Sequence, residues 1–335
     1  MAQPETIEVA DHARLPAAPL VSVLMVAYKH EAYIAEAIEG VLAQRAPFPF
    51  ELLIGEDCGG DRTLEIALEY QARHPGLIRV VYARENIGGD ENLGRITDLA
   101  RGKYIAYCDG DDYWCDPLKL ARQVEIAEAD ERIAAVHTDW VRARRTESGW
   151  TLQPRSEHAG VARDTLEGDL FGVFYFPGIL RACTLMYRRE ILEAFRTSTL
   201  ALKRYRFGDT VMAAFITSRW RVGYVDAVTA VYRESPGSAL RSGARSKLAF
   251  LRSALEFDTD ARRFFEGRVD YPQSYRWEIG IGLLLRAGLL RDREAIGIAV
   301  ADLRAHYGVA GFLRAGWRAL RLRLHRFLPA PRART

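Results

Sequence analysis

The strongest constraint on this chain is an alternation of two periodicities. Five short apolar runs lie between Val21 and Trp140: VSVLMVAY, FELLIGED, LIRVVYA, KYIAYC and IAAVHTDW. Four segments with helical spacing separate them. In EAYIAEAIEGVLAQ the apolar residues Ile34, Ala37, Ile38, Val41 and Leu42 recur at one face of a helix. DRTLEIALEYQAR follows, with Asp61 as its N-cap, then DENLGRITDLA, then DPLKLARQVEIAEA, opened by Pro117. VSVLMVAY, a continuous apolar run, is expected of a strand buried on both faces. Strand and helix alternating through short connections predict an α/β fold built on a doubly wound, mostly parallel sheet with flanking helices.

Such sheets bind ligands beyond the carboxyl ends of their strands. That rule gathers Val26, Ala27, Tyr28 and Lys29 after the first run, Glu56 and Asp57 after the second, and Asn86, Gly88 and Gly89 after the third. CDGDDYW follows the fourth and brings Asp109, Asp111 and Asp112 to the same edge. Taken alone, the acidic stretch is equally a solvated turn or a cation site. In an extended segment Asp109 and Asp111 point to one side, and Gly110 lets a ligand approach the backbone. Neither G-x-G-x-x-G after the first run nor G-x-x-x-x-G-K-[ST] occurs. A hard cation, Mg²⁺ or Mn²⁺, held by one or two carboxylates and by substrate phosphates, is the alternative way to handle a phosphate.

Composition excludes other classes. At 49% hydrophobic and 27% charged, with a net charge of +3, the chain is a globular protein without a nucleic-acid footprint. Cys58, Cys108, Cys115 and Cys183 form no CxxC pair and read as free thiols of a cytoplasmic protein. No apolar run is long enough for a membrane span. Residues 1–19 are polar and proline-broken and read as a disordered leader. Residues 141–178 read as irregular, and the chain from about Gly243 reads as helical. Its basic end, LRAGWRALRLRLHRFLPAPRART, interleaves Arg with Trp317, Leu320, Leu324, Phe327 and Leu328. Residues 314–335 thus suit a peripheral contact with the inner face of the cell membrane, the alternative being a surface helix with solvated arginines. His30 and His137 are solitary, and Trp114 suits core packing or a sugar platform. Arg188 and Arg189 either reach a diphosphate or flank a strand.

In order and spacing, VSVLMVAYKHEAYIAEAIEGVLAQ, FELLIGEDCGGDRTLEIALEY, ENIGGDENLGRITDLARGKYIAYCDGDDYWCDPLKL, ACTLMYRRE and FGDTVMAAF resemble the family 2 glycosyltransferases. The resemblance is to members of GT-A fold that build bacterial cell-surface polysaccharides. It implies a GT-A domain over 20–240 and a helical region over 241–335. It also implies inverting transfer of a sugar from a nucleotide sugar, UDP favoured, to a hydroxyl of a glycan or lipid-linked acceptor. Val26 to Tyr28 and Asp57 would hold the base and ribose, with Glu56 beside them and Asp57 accepting a bond from uracil. Asp109 would face ribose or metal, Asp111 metal and diphosphate, and Asp112 metal or donor sugar. Asp209, which on its own reads as a helix N-cap, matches the catalytic base.

Three departures stand out. Lys29 replaces a usual Asn, EDCGGD replaces DDGSTD, and Ser235 replaces a His that serves other members as a metal ligand. The last supports a rival reading, a catalytically inactive relative that binds a nucleotide sugar or assists assembly. A nucleotidyltransferase is a further rival, but MVAYKHEAYI lacks its glycine-rich basic signature.

Overall fold

A computed structural model describes residues 5–175, 178–203, 205–234, 243–268 and 270–308. The chain divides into two compact units, residues 1–202 with 208–235, and 203–207 with 236–335.

The first unit carries one sheet. Its strands are β1 (Ile7–Val9), β2 (Val21–Ala27), β3 (Phe50–Glu56), β4 (Ile78–Tyr82), β5 (Tyr104–Tyr107), β6 (Tyr113–Trp114), β7 (Ile133–Thr146), β8 (Gly149–Leu152), β9 (Met186–Arg188) and β10 (Arg221–Arg233). The order is β1-β4-β3-β2-β5-β9-β7-β10-β6, with β8 paired to β7. β4, β3, β2 and β5 run parallel. β9 runs antiparallel between β5 and β7, and β10 runs parallel to β7. The helices are α1 (Ile34–Leu42), α2 (Thr63–Arg73), α3 (Gly89–Asp98), α4 (Lys119–Ala129), α5 (Glu190–Arg196) and α6 (Gly208–Thr217). This is the doubly wound α/β architecture that the alternation predicts.

The burial pattern explains the strands. Val21, Val23, Leu24, Met25, Leu52, Leu53 and Ile54 are fully buried, as central strands covered on both faces require. Each such side chain contributes roughly 1.5–3 kcal/mol of apolar burial. In α1 the predicted stripe Ile34, Ala37, Ile38 and Val41 is buried. Gly40 on that helix meets β6 closely: a Cβ there would lie 2.6 Å from the Trp114 carbonyl oxygen. Near the strand starts a buried carboxylate ties three strands together. Glu51 accepts from Ser22 Oγ at 2.6 Å, Arg79 Nη1 at 3.1 Å and Arg101 Nη2 at 2.6 Å.

The expected disordered leader is corrected for residues 5–19. Ile7–Val9 adds an antiparallel strand to β4, and Leu15 is buried. The cause is electrostatic as well as apolar, because the buried Arg79 guanidinium donates to Glu8 Oε1 at 2.7 Å. Strand structure also continues past Trp140, through β7 and β8, where the sequence reads as irregular. α4 begins at Lys119, after Pro117, and Asp116 Oδ1 accepts the Leu118 N–H just ahead of it. Asp61 accepts the Thr63 N–H ahead of α2. Arg188 and Arg189 line a cleft with Leu20, Arg101 and Lys103 at the amino-terminal edge of the parallel strands, so they do not reach a ligand at the other edge.

In the second unit α7 (Ala244–Phe264) and α8 (Gln273–Leu290) are followed by helix over 293–308. No helix among the described residues is long and apolar enough to cross a membrane. The basic tail 314–335 and Ser235 lie outside the described residues.

Candidate functional site

The carboxyl ends of β2 and β3 turn sharply. Lys29 has φ 57° and Cys58 has φ 53°, left-handed conformations that Asn adopts more readily than either residue. This accounts physically for the Asn that the resemblance leads one to expect where Lys29 stands. Val26 and Ala27 act through their backbone: the Val26 carbonyl accepts from the Gly110 N–H at 2.9 Å, and the Ala27 carbonyl from Asp57 N–H at 3.0 Å. Tyr28 is exposed, with the Lys29 ammonium 5.2 Å from its ring centroid.

Glu56 and Asp57 organise loops. Glu56 accepts the N–H groups of Cys58 at 3.0 Å and Gly59 at 2.8 Å, and is only 2% exposed. Burial raises its pKa, those two bonds oppose the rise, and the Asp61 and Asp57 charges add to it. Asp57 Oδ1 accepts Ile87 N–H at 2.8 Å. Its Oδ2 accepts Gly88 N–H at 3.0 Å and Asn86 Nδ2 at 3.0 Å. Asn86 is thereby turned onto Asp57, and the loop before α3 is tied to the end of β3. Glu56, read from the sequence as facing a nucleotide, has both oxygens committed to its own turn.

The acidic stretch forms a turn in which the Asp112 N–H donates to the Asp109 carbonyl at 3.0 Å. Gly110 presses on β2: a Cβ there would lie 2.8 Å from His30 Nδ1 and 3.2 Å from the Val26 oxygen. Asp109 is half-buried, and its carboxylate accepts no hydrogen bond from any described residue. Burial first, then the charges of Asp111 and Asp209, push its pKa up to about 7, against the pull of Arg181. Asp112 departs from its expected place at the ligand face. It is 2% exposed, and its Oδ1 accepts the Arg233 N–H at 2.9 Å. Burial, Asp111 and Asp109 raise its pKa far above the usual range. Asp112 therefore fastens the turn to β10. Arg233 adds a second fastening, donating through Nη1 to the Asp111 carbonyl at 3.1 Å while pairing with Glu36 and covering the Tyr113 ring.

The other half of the edge comes from β7, β9 and β10, whose pairing with one another no local run of sequence specifies. β9 is antiparallel to β5, so the residues just before β9 arrive where β5 ends. Arg181 sits there, its guanidinium 4.8 Å from the Trp140 ring centroid and 4.4 Å from that of Tyr232. Asp209 lies in the first turn of α6, exposed, with its Oδ1 accepting the Thr210 N–H at 2.8 Å. Helix N-termini favour such a carboxylate. Its charge is felt at Asp109, whose pKa it raises.

Trp114 is core: it is buried and donates to the Cys183 carbonyl at 2.9 Å. His137 is also core, bonded through Nε2 to the Leu166 carbonyl, and burial pushes its pKa down to about 3. Arg181 and Arg233 are the side chains that sequence reasoning missed. Their partners are far apart in the chain, and only the pairing of β7, β9 and β10 brings them to the edge.

Asp109 and Asp111 offer hard oxygen donors of the kind Mg²⁺ and Mn²⁺ accept. Among the described residues no three His, Cys, Asp or Glu side chains converge to hold an ion. The residues present thus fit an ion held by one or two carboxylates and completed by substrate phosphates.

The model of Glycosyl transferase family 2 matches residues 22–195. An uncharacterized protein of Mycobacterium tuberculosis is 46% identical over 104 residues, 31% of this chain and 30% of that protein. The putative teichuronic acid biosynthesis glycosyltransferase TuaG of Bacillus subtilis is 36% identical over 107 residues, 32% of this chain and 41% of its own length. The chain therefore spans less than half the length of these curated relatives. Among solved structures, S. aureus TarS 1-349 in complex with UDP-GlcNAc superposes with a TM-score of 0.61 at 17% identity, covering 85% of this chain and 80% of that one. The mannosyltransferase PcManGT of Pyrobaculum calidifontis, in complex with GDP-Man and Mn²⁺, gives 0.56 at 18% identity, with 91% and 81% covered. At these identities the likeness is one of fold, and it is the GT-A fold.

Proposed function

The chain belongs to glycosyl transferase family 2, and from that premise we propose that it transfers a sugar from a nucleoside-diphosphate sugar, UDP-linked, to a hydroxyl of a glycan or lipid-linked acceptor. The observation that carries this reading is the Asp109–Asp111 turn at the carboxyl edge of the parallel strands, where the Asp209 charge is felt at Asp109. A donor site needs a place for the diphosphate, and a transferase needs a carboxylate beside it. TuaG, named for teichuronic acid biosynthesis, supports an acceptor in cell-surface polysaccharide synthesis.

The chemistry is one displacement. The acceptor oxygen forms a bond to the anomeric carbon as the bond from that carbon to the phosphate oxygen breaks. The electron pair leaves with the nucleoside diphosphate, and the configuration inverts. Asp209 takes the hydroxyl proton, a role a positioned carboxylate performs by general base catalysis. Asp57, still with accepting capacity beyond its three loop bonds, takes the N–H of a base ring, and Tyr28 lies against the nucleoside. Asp109 and Asp111 would hold Mg²⁺ or Mn²⁺, which when bound neutralises charge on the departing diphosphate.

The test is a thermal-shift panel of UDP, dTDP, GDP and CDP, each with and without Mn²⁺. A ligand at 100 times its Kd raises stability by about 2.7 kcal/mol. A metal-dependent rise with UDP above the others is expected. No rise with any nucleotide would sink the donor site. A rise without turnover of any nucleotide sugar would favour the inactive relative.

A further inference from the structure

Arg181 is unlike most buried-edge arginines of this protein. Arg79, Arg101 and Arg233 each meet a carboxylate. Arg181 meets none among the described residues, and its Nε is buried with no hydrogen-bond partner. Two aromatic faces, Trp140 and Tyr232, hold the guanidinium instead. Those rings supply cation–π attraction and fix the plane of the fork, but they accept none of its N–H bonds in-plane. A buried donor left unbonded carries a desolvation cost, so its persistence calls for a partner that the described residues do not supply.

The surroundings state what that partner is. Arg181 enters the edge beside Asp109, whose pKa it pulls down, and Asp109 in turn feels Asp209. Trp140 is itself fastened, its Nε1 donating to the Gly178 carbonyl at 2.8 Å. A rigid planar fork with free donors is matched by a phosphate or carboxylate, which accepts paired N–H bonds. Carboxylates also line this edge, so an anionic substrate group meets repulsion there unless a cation is supplied.

We propose that Arg181 binds an oxyanion of the substrate beside Asp109. The inference rests on the donor-site reading above. The oxyanion is the distal phosphate of the nucleoside diphosphate or an acid on the sugar, and the same bidentate recognition serves both.

Calorimetric titration of the full chain with Mn²⁺ present separates these sources. The parent, Arg181→Gln and Arg181→Lys are titrated with UDP and with UMP. They are then titrated with glucuronate and glucose at saturating UDP. If the distal phosphate is the partner, Arg181→Gln weakens UDP by about tenfold or more while UMP changes less than about twofold. If a sugar acid is the partner, UDP affinity holds and the parent's preference for glucuronate over glucose disappears in the variant. Arg181→Lys keeps the charge and loses the fork, so it recovers part of the affinity in whichever arm responds. Thermal melting within a few degrees of the parent excludes misfolding of the variants. Parent-like affinities in both arms for a folded Arg181→Gln would overturn the inference while leaving the donor reading intact. A parent that binds no nucleoside diphosphate would overturn both.

Discussion

Asp209 is exposed at the start of a helix and bonded to its own neighbour, the ordinary surroundings of a first-turn carboxylate. What distinguishes it is that its charge is felt at Asp109. If Asp209 is the base, Asp209→Asn lowers transfer by about a thousandfold, since general base catalysis contributes factors of this order. Nucleotide affinity in the same variant stays within about twofold of the parent, as titration would check. Equal turnover of variant and parent would remove Asp209 from the mechanism. At this scale the sequence was legible in part. The acidic turn stood out because Asp109, Asp111 and Asp112 are adjacent in the chain. Their division of labour did not, because the Asp112 bond to the Arg233 N–H joins this turn to β10, 121 residues away. Arg181 was illegible for the same reason: nothing local in RACTLMYRRE names Trp140 and Tyr232 as its neighbours.

The parallel strands β2 to β5 were legible because each carries a short, mainly apolar run whose apolar side chains are largely buried. β1 was not, being three residues long with polar flanks, and its place depends on Arg79 inside the sheet. The Glu51 cluster is the electrostatic joint of these elements. Burial would raise the Glu51 pKa, but the bonds from Arg101 and Ser22, with the Arg79 charge, outweigh it and leave the group below its ordinary 4.5. A carboxylate depressed in the folded state stabilises fully above its unfolded pKa and loses that contribution as pH falls through the folded value. Stability of the parent should therefore fall as pH drops below about 4.5. Glu51→Gln leaves Arg101 without a carboxylate and Arg79 with Glu8 alone, which at pH 7 costs about 3 kcal/mol. The variant should also lose part of the acid dependence. Chemical denaturation at pH 7 and at pH 4 checks both, and an unchanged acid profile would contradict the assignment.

At the scale of the whole molecule, β1 closes one edge of the sheet and helps neutralise Arg79. Deleting residues 1–12 from the chain uncovers the β4 edge and removes Glu8. An unpaired edge is a template for association. The shortened chain should melt several degrees lower and self-associate in light scattering, whereas a disordered leader would be removed without effect. The carboxyl edge, in contrast, carries Tyr28, Asp57, Asp109 and Asp111, and the charges of Arg181 and Asp209 are felt there at Asp109. The measurement that tests that reading most directly is a calorimetric titration of UDP into the parent and into Asp111→Ala, each with and without Mn²⁺. Binding by the parent that requires the ion, weakened about tenfold or more by Asp111→Ala, is the predicted result. Binding that is indifferent to both the ion and Asp111 would contradict a donor site built on this turn.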